Sequence, residues 1–155
     1  MGSRRKRSKT PWPSSEPPPE PVFFVDRDLG RRFPEILRSQ GLRVEVHDDH
    51  YAGLEKPPDH VWLQMTAESG WVAVSHDANI RHTSRSRDTI ATLGARLIVV
   101  KGKARTQDLA ENFVRSYAAI RNFVSHHPGP WIAKLYRHPH DPAHPGRIEM
   151  WCNFP

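Results

Sequence analysis

Cysteine is almost missing from this chain. Cys152 is the only one in 155 residues. No disulfide can form within the chain, and a reducing cytoplasm is the expected compartment. Long apolar runs are missing as well. No stretch is long enough to span a bilayer, and no signal-peptide pattern follows Met1, so a membrane is not an expected partner. Acidic residues are in the minority, 17 against 23 Lys and Arg, for a formal charge of +6. That balance favours an anionic partner such as nucleic acid. In residues 1–20, Arg4, Arg5, Lys6, Arg7 and Lys9 stand against Glu16 and Glu20, so this tail carries +3 and the remainder +3. The basicity is shared between tail and body. No internal repeat is present, and the length suits one domain with a real core better than two.

What is present falls into three parts. Residues 1–21 are basic, then rich in Pro and Ser, with Trp12 as the only large apolar group. Such a segment buries too little to offset its ordering entropy and reads as a disordered arm. Its "RRKRSK" has the look of a nucleic-acid patch, although a solvated tail is the simpler reading. Residues 22–125 alternate between strand and helix periods. "VFFV" is a first strand, and "RRFPEILRSQG" is a helix with Phe33, Ile36, Leu37 and Gln40 on one face. "LRVEVHD" is a second strand. "PPDHVWLQMTAESG" is a helix with Trp62 and Met65 inward and Gly70 as its stop. "WVAVS", the short helix "SRDTIATLG" and strand "ARLIVV" follow, then one long helix over 106–125. Strands alternating with helices predict a mostly parallel sheet covered on both faces. Residues 126–155 hold the His/Pro-rich loop "HPHDPAHPG" between two further strands, "WIAKLYR" and "GRIEMW", expected to pack on the same domain.

Acids stand at telling places in this pattern. Asp26 follows the first strand and Asp77 the third, and in an open α/β sheet ligands bind beyond the carboxyl ends of strands. Asp59 opens the helix before the third strand, and the loop "HDDHYAGLEKPPD" could fold it over the same edge. Three converging carboxylates repel unless protons or a cation neutralise them. Oxygen-only ligation selects hard ions, Mg²⁺ or Mn²⁺, which can lower the pKa of a water and stabilise charge on a phosphate. Asp28 suits a helix N-cap and an assisting ligand equally. Each acid alone is common in turns and caps. It is their shared placement that points to a site. Arg27, Arg31 and Arg32 after the first strand, and Arg81, Arg85 and Arg87 after Asp77, would flank it, and arginine suits phosphate geometry.

"VFFVDRDLGRRFPEILRSQGLRVEVHDD" and "PDHVWLQMTAESGWVAVSHDANIR" together resemble the PIN-like domains related to VapC-type toxins, over roughly residues 22–100. The pattern is Asp26 ending a strand, Pro58-Asp59 opening a helix, and Ser75-His76-Asp77 ending a later strand. The resemblance implies a three-layer α/β/α, Rossmann-like fold and a Mg²⁺- or Mn²⁺-dependent endoribonuclease. It makes Asp26, Asp59 and Asp77 the catalytic and metal-binding residues, and puts Asn79 where a further ligand would stand. By their place beside these acids, Asp28 is a further candidate ligand and Arg27, Arg31, Arg81 and Arg85 are candidate RNA contacts. The resemblance also implies a toxin–antitoxin setting with a cognate antitoxin protein as partner, and leaves homo-oligomerisation open. In such domains a fourth acid often follows the third. Here Asn79 occupies that place and Asp88 lies further on, so one metal ion is the expectation.

Other readings compete. A catalytically silent PIN-like module would bind RNA or an antitoxin without cutting. "VFFVDRDLG" also resembles the opening motif of haloacid-dehalogenase-like phosphatases, with Ser75 and Lys101 as phosphate contacts. The later acidic pair those enzymes need is offered only by Asp108 and Glu111, inside a helix. A receiver-type domain would leave Asp59 idle. His126-His127 and His138, His140 and His144 invite a zinc reading, but Pro and Gly neighbours favour a solvated loop. Cys152 has no base nearby in sequence.

Overall fold

The first strand, β1 (Val22–Val25), is apolar along its whole length because both of its faces are covered. Phe23 and Phe24 are fully buried and Val25 nearly so, on the order of 2 kcal/mol of apolar transfer for each side chain. In the computed structural model, which describes residues 19–51, 57–76 and 84–153 (without the side chains of 84–86 and 153), β1 lies inside a six-stranded sheet. It pairs in parallel with β2 (Arg43–Val46) on one side and β3 (Val72–Ser75) on the other. Beyond β3 come β4 (Arg96–Val100) and β5 (Trp131–Tyr136), also parallel, and then β6 (Arg147–Asn153), antiparallel at the edge. The order is β2-β1-β3-β4-β5-β6.

This order carries the functional consequence. From β1 the chain steps outward to β2, then crosses back over β1 to form β3 on its other side. The direction of winding reverses between β1 and β3, and a crevice opens at the carboxyl ends of strands at such a switch point.

Side-chain alternation sorts the core into two layers. Phe23, Val25, Val72, Val74, Ile98 and Val100 face α1 (Arg32–Ser39), α5 (Thr106–Arg115) and α6 (Tyr117–His126). Phe24, Ala73, Leu97 and Val99 face α3 (Asp59–Ser69) and α4 (Ser84–Leu93). The expected inner faces hold in part: Phe33, Leu37 and Trp62 are buried, Ile36 and Met65 are half-buried, and Gln40 is exposed, while Phe113 meets both Phe23 and Phe33 edge to face. Gly70 ends α3 in the left-handed region, φ 75°, where a Cβ would be strained.

Two expectations are corrected. The long helix over 106–125 is two helices, broken at Ser116. Ser116 has a ψ of 4°, and its hydroxyl accepts the Gly146 N–H at 2.8 Å, tying the break to the turn into β6. The second strand stops at Val46. The chain then turns into a short helix, α2 (His47–Tyr51), where the sequence reads as strand end and loop. Residues 1–18, most of the expected arm, lie outside the described residues. Among the described residues, no helix is long and apolar enough to cross a membrane.

Candidate active site

Asp26 continues the extended backbone of β1, and its N–H still donates to the Val74 carbonyl at 2.9 Å. Its side chain is therefore fixed by the sheet itself, on the α3 side, and is 1 % exposed. The chain then coils into a 3₁₀ turn, Arg27–Leu29, which lifts the exposed Asp28 over the end of β3. The backbone N–H of His76 points at both Asp28 carboxylate oxygens, each at 3.2 Å. Asp28 is not the N-cap of α1, a position that belongs to Arg31.

One buried hydroxyl joins the two acids. Ser75 Oγ lies 3.2 Å from Asp26 Oδ2 and 3.0 Å from Asp28 Oδ2. A serine has a single proton to donate, so both carboxylates share one donor. Their oxygens lie within two hydrogen-bond lengths of each other, at the crevice between β1 and β3. Repulsion between them favours a cation.

The far side of Asp26 meets a residue that sequence reasoning did not single out. His47, at the start of α2, is as buried as Asp26, and its Nε2 is 3.2 Å from Asp26 Oδ1. The approach is electrostatic and is not aligned as a hydrogen bond. The ring is held among Phe24, Trp62 and Tyr51, at centroid distances of 4.9, 5.4 and 5.7 Å. The signal was available, because His47 follows a strand as Asp26 does. Its burial, however, depends on α2 folding back over the sheet.

Asp59 opens α3, which runs back against the strand direction, so its start lies at the carboxyl edge as expected. Trp62 Nε1 donates to Asp59 Oδ1 at 3.1 Å, and the Trp62 ring meets His47. Packing thus connects Asp59 to Asp26 through Trp62 and His47. Asp77, Asn79 and Arg81 lie outside the described residues, as does the side chain of Arg85. Of the basic residues, Arg27 reaches Asp48 at 3.3 Å and the Tyr51 carbonyl at 3.4 Å. Arg31 is exposed beside the pocket next to Asp26.

Among the described residues, no group of three or more His, Cys, Asp or Glu side chains is arranged to hold a metal ion. The crevice nonetheless holds two carboxylates sharing one hydroxyl, and oxygen donors of that kind fit a hard divalent ion.

A parallel α/β sheet with paired carboxylates at its switch point defines a class of acid-site α/β/α domains built to handle phosphate or a cation. The family profile described as "PIN like domain" matches residues 21–102, just over half of the chain, and the chain belongs to the PIN-like domain family. It is 38% identical over 118 residues to a protein of Mycobacterium tuberculosis named "Putative ribonuclease VapC45", covering 74% of this chain and 85% of that one. No solved structure matches the chain.

Proposed function

We propose that this protein is a metal-dependent endoribonuclease of the PIN-like type, the toxin of a toxin–antitoxin pair, with RNA as substrate and a cognate antitoxin as protein partner. The observation that carries the reading is the convergence of Asp26 and Asp28 on the single Ser75 hydroxyl at the sheet's switch point. The relative's name and the family membership support it. Asp26 and Asp28 would hold the ion with Asp59 and Asp77, and Mg²⁺ or Mn²⁺ suits such a set. When bound, the ion offsets the carboxylate repulsion and polarises a phosphodiester oxygen. The chain's own residues do the rest. Ser75 and the His76 N–H fix the carboxylates before substrate arrives, which limits reorganisation on binding. Arg27 and Arg31 hold the RNA backbone, and guanidinium forks suit phosphate oxygens. The unit comprises residues 22–125, with residues 126–155 completing the same domain and the basic arm adding affinity for polyanions.

The test is RNA cleavage by the purified full chain under Mn²⁺ titration, beside Asp26→Asn. Cleavage should appear with the metal and fall at least a hundredfold in the variant. Metal-independent cleavage that survives the substitution would refute the reading.

A further inference from the structure

Strand alternation and register put more than acids on the α3 face of the sheet. Asp26 follows Phe24 on that face, and its N–H bond to the Val74 carbonyl continues the β1–β3 register, which sets Asp26 beside Ser75. Ser75 pairs with Val99 on β4, and Val99 pairs with Lys134 on β5. One row across the sheet therefore reads Asp26, Ser75, Val99, Lys134. Neighbouring strands lie about 4.8 Å apart, so Lys134 leaves the backbone roughly 10 Å from Ser75. Lys101, two residues beyond Val99, takes the same face, and its N–H donates to the Leu135 carbonyl at 2.9 Å, extending the ladder past β4. The Lys134 ammonium stands over the Trp151 ring, 3.6 Å from its centroid, and the Lys101 ammonium is 5.8 Å from the same centroid. The loop after Lys101 is tied to the crevice, because the Gly102 carbonyl lies 3.2 Å from His76 Nε2.

The two sides of the crevice carry opposite charge. Towards β2, residues 45–51 hold Glu45, Asp48 and Asp49 and no Lys or Arg. Towards β5, residues 101–105 hold Lys101, Lys103 and Arg105 and no acid. Arg105 is engaged with Asp108 at 3.2 Å, and Glu149, opposite Lys134 on β6, is engaged with Arg147 at 3.3 Å. Among the described residues, Lys101, Lys103 and Lys134 have no carboxylate within ion-pair reach. A π face attracts an ammonium without neutralising it. Two ammoniums at one ring, with a third two residues along the chain, favour a polyanion for the same reason that the paired carboxylates favour a cation.

We propose that the RNA strand, held at the crevice by Arg27 and Arg31, continues over the carboxyl ends of β4 and β5 with its phosphates on Lys101, Lys103 and Lys134, and turns away from α2; the proposal rests on the ribonuclease reading above. RNA fits this face better than an acidic protein segment does, because the lysines share a face with the acids that would cut the strand, and Lys134 shares their register row. The polymer in the crevice is the polymer within the lysines' reach. Lys134 lies outside residues 21–102, so family membership alone does not supply this face.

The test is the fluorescence anisotropy of a labelled short oligouridylate titrated with the full-length protein in chelator, over a salt series, so that binding is read without cleavage. On a single strand each phosphate neutralised contributes roughly 0.7 to the slope of log affinity against log salt. Lys101→Gln combined with Lys134→Gln should lower that slope by about 1.4 and weaken binding on the order of tenfold at about 0.1 M salt. Lys134→Arg, which keeps the charge, should bind as wild type does. Arg43→Gln, which removes an exposed charge at the start of β2 and so at the opposite edge of the sheet, should change neither slope nor affinity. An unchanged slope in the double variant, an equal loss in Arg43→Gln, a loss in Lys134→Arg as large as in the double variant, or no RNA binding at all would overturn the proposal. So would an oligoglutamate that binds as tightly as the RNA with the same lysine dependence, which would give the face to an acidic protein segment. Lysine-dependent binding with no cleavage in Mn²⁺ would refute the nuclease reading and leave the RNA track standing.

Discussion

The contact between His47 and Asp26 decides whether this site is held together by its own charges. His47→Phe keeps an aromatic ring among Phe24, Trp62 and Tyr51 but removes the nitrogen 3.2 Å from Asp26 Oδ1. Two effects oppose one another. Phenylalanine buries no polar atom, whereas both His47 nitrogens are buried without an aligned hydrogen bond. Replacing such a group with an apolar one can be neutral or stabilising. Against this, Asp26 loses its partner on that side while remaining 1 % exposed against aromatic carbon. Buried side chains in direct contact couple by about 0.5–3 kcal/mol. We expect the second effect to win, with a net loss of about 1–2 kcal/mol. A double-mutant cycle with Asp26→Asn isolates the term, because the asparagine removes the charge that needs the histidine. The coupling should be about 1–3 kcal/mol, within the range for residues in contact. Urea unfolding of the four proteins in chelator reads it, and RNA cleavage runs alongside. In His47→Phe kcat should fall more than KM rises, because the carboxylate loses its orientation and RNA keeps its arginines. A His47→Phe protein as stable as wild type, with coupling near zero and unchanged kcat, would show that the ring merely fills space.

Asp28 is exposed and stands beside Asp26 across the shared Ser75 hydroxyl. Asp28→Asn should relieve repulsion, so in chelator the variant should melt at or above wild type, while Mn²⁺-dependent stabilisation and cleavage both decline; calorimetric scans with and without Mn²⁺ check this. Deleting residues 1–20 should leave the melting temperature nearly unchanged and flatten the salt dependence of RNA affinity, because fewer phosphates are neutralised. A large drop in melting temperature would place those residues in the folded body.

Much of this protein was legible in its sequence because short-range chemistry dictates it. The run "VFFV", short, β-branched and aromatic, reads as a strand buried on both faces. The spacing of Phe33 and Leu37 puts them on one side of a helix, and Gly70 is the residue that tolerates the left-handed helix end. The placement of Asp26 beyond β1, and of Ser75 at the end of β3, followed from the alternation of periods. The break at Ser116 was hidden, since helical periodicity runs on through it and only the bond from Gly146, thirty residues away, marks the turn. Strand order was hidden as well. Alternating strands and helices are compatible with several orders, and it is the crossing of β3 to the far side of β1 that puts Ser75 between two carboxylates. His47 is the clearest case. In sequence it is one of ten histidines. Only the folding of α2 over the sheet takes it out of water and brings it to Asp26, because burial and electrostatic partnership are properties of residues distant in the chain and close in space.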